Sequence, residues 1–179
     1  MILNSNYLVI SIKALKGMLY RIALLTFLCL AEAAYAYDYS PSNCVYTVTF
    51  PDTPSLNQMH ADGTGDYISA NLEREDYFLR AECIPIESHQ RRDASQLLEA
   101  AKQYVNFNGL QRASYETSSE TIGEILKIRG YKPVEGVMTT FAVIMVSGES
   151  SYISLYAGAR STLYPTKEIS DFLGSLKLK

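Results

Sequence analysis

The stretch VMTTFAVIMVSGESSYISLYAG, residues 137–158, decides the fold, because two long apolar strand patterns meet there across a polar turn. In the first arm, β-branched and aromatic residues lead into the unbroken apolar run 141–146. Such a run marks a central strand covered on both faces. Ser147-Gly-Glu-Ser-Ser151 supplies the connection, and Tyr152, Ser154 and Tyr156 then alternate with Ile153, Leu155 and Ala157. That period of two predicts a half-buried antiparallel partner with one face toward water.

Working outward toward the N-terminus, residues 44–50 alternate as a strand that Pro51 and Pro54 end, and residues 55–59 offer a short second strand. Residues 67–72 and 77–84 flank the polar Glu73-Arg-Glu-Asp76 in the manner of a hairpin, and residues 37–43 read as an exposed lead-in. Asp93 and Gln96 form a capping box that opens a helix with Leu97, Leu98, Ala101, Tyr104 and Val105 on one face, closed at Asn108-Gly109. Residues 110–117 and 122–131 read as further strands, with Pro133 and Gly136 marking the bend before the quoted stretch. Thr166 caps a short helix that Gly174 ends, and residues 175–179 close the chain as an edge strand. The fold class is therefore α+β, an antiparallel β-sheet with helices packed on its faces.

The first 36 residues read as a cleaved signal peptide. Lys13, Lys16 and Arg21 precede a short apolar run, 22–30, and Ala34-Tyr35-Ala36 places small residues where signal peptidase needs them. The run is too short for a membrane span, which needs about 20 apolar residues, so no permanent membrane anchor is expected. Met18 offers an alternative start. Leu28 before Cys29 does not fit a lipobox, so lipidation is rejected. The remainder, residues 37–179, has the length of one domain, and the compartment is periplasmic or secreted.

Loss of three bases and one acid with the signal takes the net charge from −3 to −5. With no basic cluster beyond Arg91-Arg92, nucleic acid is not an expected partner, and the domain should be a soluble monomer. Two cysteines remain, Cys44 and Cys83, and an even count in an exported chain points to one disulfide joining neighbouring strands or their ends.

Candidate chemistry is sparse. Asp62, Thr64, Asp66 and Glu73 occupy the first, third, fifth and twelfth places of a calcium loop, but Tyr67 stands where the sixth place demands glycine, so a tight turn is the preferred reading. His60, read as a loop residue, and His89 lack ligand partners at zinc spacing, and no cofactor is implied. No serine sits in a nucleophile elbow. Glu73, Glu75, Asp76 and Glu82 form an acidic patch that would serve a small hydrolase, while Tyr152, Tyr156 and Tyr164 would line a small-molecule carrier. Neither outweighs a non-enzymatic module that binds another protein.

The segments YTVTFPDTP, Tyr46 to Pro54, and DFLGSLKL, Asp171 to Leu178, together with the order of elements between them, are similar to the PsbP-like fold family. That family includes a photosystem accessory protein, a nuclear Ran-binding protein and exported bacterial members. The resemblance implies an α-β-α sandwich acting as a binding or assembly module. It carries over no catalytic residue, and the two cysteines lie outside its pattern.

Overall fold

A computed structural model describes residues 35–61 and 65–179. The expected signal peptide and its alternative start at Met18 fall outside these residues apart from Tyr35 and Ala36, as do Asp62 and Thr64. Ten strands and two α-helices follow in the order β1 (Tyr37–Tyr39), β2 (Tyr46–Phe50), β3 (Ser55–Ala61), β4 (Gly65–Glu73), β5 (Tyr77–Pro85), α1 (Ala94–Asn108), β6 (Gln111–Glu120), β7 (Gly123–Val134), β8 (Val137–Ser147), β9 (Ser151–Arg160), α2 (Lys167–Gly174) and β10 (Lys177–Leu178). Seven strands form one antiparallel sheet in the order β3-β4-β5-β9-β8-β7-β6, and β1 and β10 flank β2 in a second, three-stranded sheet. Among the described residues, strand dominates and helix is the minor partner.

The faces of the large sheet are covered differently. On one, α1 packs Leu97, Ala101 and Val105 against Leu126, Ile128, Val143 and Met145 of β7 and β8. On the other, Tyr46, Val48 and Phe50 of β2, with Ile169 and Phe172 of α2, meet Leu79, Ala81, Val146, Ile153, Leu155 and Ala157. The expected sandwich of helices thus becomes a helix on one face and a small sheet with a short helix on the other. Burying these apolar side chains supplies about 1.5–3 kcal/mol for each large one, which is what holds the layers together.

The hairpin of residues 137–158 forms as its sequence predicts, and β8 is an interior strand, paired with β7 and β9 and buried on both faces, but it is not the middle one. The middle strand of the seven is β9, with β8 beside it. The Tyr152–Ser154–Tyr156 face of β9 does not open to water, since Ser154 is buried and Tyr104 of α1 stacks on Tyr156 at 5.6 Å. Aromatic rings of α1 and β9 cover one another there, so alternation of polar and apolar residues does not mark an exposed face.

Other expectations are corrected by non-local contacts. Residues 37–39 are strand β1 rather than a free lead-in. Tyr39 is buried, donates its hydroxyl to the Ile68 carbonyl, and accepts from the Cys83 N–H at 3.1 Å. Pro133 lies inside β7, opposite Met138, and the bend is Glu135-Gly136. β6 stops pairing at Tyr131, so Pro133 removes no hydrogen bond from that ladder. The final strand, β10, is an edge strand as expected, shortened to Lys177–Leu178 and paired with β2 in the small sheet. His60 is a strand residue of β3, with Nδ1 2.8 Å from the Asp66 carboxylate. The caps of α1 are as the sequence specifies: Asp93 accepts from the Gln96 N–H at 2.8 Å, Gln96 accepts from the Asp93 N–H at 3.0 Å, and Gly109 adopts φ 65°.

Cys44 and Cys83 form a disulfide, Cα to Cα 6.0 Å, with both residues buried. They do not lie on adjacent strands. Cys44 precedes β2 in the small sheet and Cys83 belongs to β5 of the large one, so the bond crosses between layers.

Candidate functional site

A concavity of about 520 Å³ lies at the end of the large sheet where two hairpin tips project. Its floor is a cross-strand row. Phe78 of β5 stands opposite Gly158 of β9, which stands opposite Phe141 of β8. The two rings meet 5.6 Å apart, tilted by 54°, across the glycine. A Cβ at residue 158 would fall 2.2 Å from Phe78, so only glycine lets the ring lie over the strand.

One wall is the tip of the β4–β5 hairpin, Glu73, Arg74, Glu75 and Asp76, closed by the Arg74 N–H donating to the Tyr77 carbonyl at 2.9 Å. The Arg74 guanidinium turns to Asp52, holding that carboxyl below its ordinary range together with the Thr53 N–H, which is the larger cause. The facing wall is the β7–β8 hairpin, where Glu135 (φ 49°) and Gly136 (φ 81°) make a two-residue turn of the I′ type between Val134 and Val137. Val137 and the neighbouring Met138 are 44% and 47% exposed. Four carboxylates, Glu73, Glu75, Asp76 and Glu135, line the site against two guanidiniums, Arg74 and Arg160. An apolar floor under an acidic rim attracts a group that is both apolar and positively charged.

Further along the same face, Glu82 is only 11% exposed at its side chain and is ion-paired with Arg80. The Arg80 guanidinium lies 5.7 Å from the centre of the Tyr156 ring, and its Nε is buried without a protein partner among the described residues. Burial pushes the Tyr104 phenol up to about 12, opposed by Arg80, and raises Tyr156 further, assisted by Glu82. These phenols stay neutral in water near neutral pH, as packing groups and weak donors.

The predicted candidates are thus partly regrouped. Glu73, Glu75 and Asp76 come together at an exposed tip, while Glu82 is separated from them by its strand position and its arginine. Asp66 and Glu73 cap opposite ends of β4, about 23 Å apart by strand rise, so they cannot belong to one calcium loop. Asp66 is instead held below its ordinary range by His60 and Gln58. No cluster of metal-ligating side chains occurs among the described residues. Tyr152 and Tyr156 share the α1 face, but Tyr164 lies toward the other face against Arg129 at 4.9 Å, so the three tyrosines line no common cavity. The Phe78–Phe141 pair and the Val134–Met138 tip escaped the sequence reading. Only strand register brings Phe78 beside Gly158, and no local pattern encodes it.

No protein-family model matches the chain, and no curated protein does. Among solved structures it is similar to a protein from Bacteroides thetaiotaomicron VPI-5482, at 10% identity and a TM-score of 0.46, over 79% of this chain and 48% of that one. The chain therefore spans about half the length of that protein. It is also similar to LpqN, involved in cell envelope biogenesis of Mycobacterium tuberculosis, at 13% identity and a TM-score of 0.45, over 84% and 87% of the two chains. Among the described residues no helix is long and apolar enough to cross a membrane.

Proposed function

We propose that the protein is an exported, non-enzymatic interaction module that grips a basic, amphipathic segment of another protein in the acid-rimmed cavity. The observation that carries this reading is the cavity itself, a Phe78–Gly158–Phe141 floor between an acidic hairpin tip and an apolar one. Its volume lies within the roughly 300–1,000 Å³ of ordinary ligand sites. Export accords with the signal-like leader and with the disulfide, a bond favoured in oxidising compartments. The PsbP-like resemblance belongs to the same reading, as a scaffold for binding or assembly.

Synthetic peptides that alternate leucine with lysine, and matched peptides with glutamate in place of lysine, test it by fluorescence anisotropy at low and physiological salt. The basic series is expected to bind, more weakly as salt rises, and the acidic series to be rejected. Charge reversal by Glu75→Lys with Asp76→Lys should weaken the basic series by about tenfold. Equal binding of both series, or indifference to that reversal, would remove the cavity from consideration.

A further inference from the structure

The two open edges of the large sheet differ in how they are protected. Strand β6 carries a register break between Gln111 and Ser114, a left-handed Arg112 at φ 50°, and the charges Arg112, Glu116 and Glu120. Bulges and charges are the devices that keep an exposed strand from recruiting another. Strand β3 has none of them. Ser55-Leu-Asn-Gln-Met-His-Ala61 contains no proline, lysine, arginine or acid, and it pairs with β4 over seven rungs without a break. Residues 55–60 are all exposed, and among the described residues no strand pairs with the outer side of β3.

A groove of about 490 Å³ adjoins that edge, with Leu56, Tyr67 and Ile68 as its apolar part and Asn43, Gln58 and Asp66 among its polar lining. Leu56 and Ile68 lie on one face, since Ile68 stands opposite Gln58, two residues along from Leu56. Both are apolar and exposed, Leu56 by 49%. An unprotected row of backbone donors and acceptors beside a pocket for one apolar side chain is the geometry of strand addition, in which the backbone supplies affinity and the pocket supplies selectivity.

We infer that β3 takes up an extended segment of a partner protein as an additional strand, with one apolar side chain of that segment entering the groove beside Leu56 and Ile68. A second copy of this chain fits less well. An antiparallel two-fold pairing about Gln58 would set the copy's polar His60 opposite Leu56, and His60 is already held by Asp66. Each copy also carries the same net negative charge. The groove reaches Asp66 at one end of β4 and the acid-rimmed cavity reaches Glu73 at the other, so the inference stands apart from the preceding proposal.

Selection from a phage-displayed library of random linear peptides against the full chain tests this. The enriched peptides should carry aliphatic or aromatic residues at alternate positions. Their binding should drop by about tenfold or more when alternate backbone amides are N-methylated, and equally with Leu56→Lys, while Ser114→Lys on the opposite edge leaves it unchanged. Hydrogen exchange should slow in the β3 amides when such a peptide is bound. Thermal melts of both variants serve as the folding control. Failure to enrich any peptide, undiminished binding by N-methylated peptides or by folded Leu56→Lys, or a concentration-dependent dimer abolished by Leu56→Lys would each overturn the inference.

Discussion

Glu135 occupies a left-handed conformation at a position where asparagine is far better tolerated, because the asparagine side chain bonds locally to the backbone. Replacing Glu135→Asn should therefore stabilise the protein by about 0.5–1 kcal/mol, measured as a shift of the urea midpoint at unchanged slope. At the other extreme of solvation, burial raises Tyr46 and Tyr104 to about 12. An unfolded tyrosine ionises near 10, so the folded state holds these protons longer, and the stability they contribute is complete below about pH 10. It is lost as pH rises from there toward 12. Thermal melts across that range should fall steeply for the parent and less steeply for Tyr104→Phe, which has no phenol to ionise.

Among the elements, the link between β5 and the segment entering β2 is the one whose removal should be most visible. The cysteines are 39 residues apart, and loop-closure entropy assigns a bond of that span about 4 kcal/mol. Cys44→Ser is expected to cost about 2–5 kcal/mol in denaturant unfolding, and thiol titration of the native parent should find neither cysteine free. Pairing by cysteine count was legible in the sequence; the crossing between layers was not. Helix α1 was legible because Asp93, Gln96 and Gly109 act within a few residues of one another. The strands were legible one by one for the same reason, through alternation and turn residues. Their order was not, since whether β8 or β9 lies in the middle depends on β5 joining β9 across more than sixty residues of chain. The cavity inherits that blindness: Glu73–Asp76 was visible as an acidic tip, but its apolar counterpart at Val134–Met138 faces it only after β9 and β8 have been laid beside β5.

For the whole molecule, the small sheet has a property that follows from its pairing alone. β1 and β10 run antiparallel to β2 on its two sides, so they are parallel to each other, with Tyr37 opposite Phe50 and Leu178 opposite Tyr46. Two strand spacings and four residues of offset put the ends of the folded unit about 16 Å apart. That gap can be bridged by a flexible linker of roughly eight residues. A circular permutant joined in this way, and opened at the exposed Glu75, should fold with its disulfide intact and keep an ordinary cooperative melt. The original ends would then be internal, and the small sheet would become a passage through which the chain runs continuously. A permutant that stays unfolded while oxidised would mean that β1 and β10 need free ends to dock on β2. Success would make the unit a cassette, insertable into a surface loop of a host protein without stretching either partner.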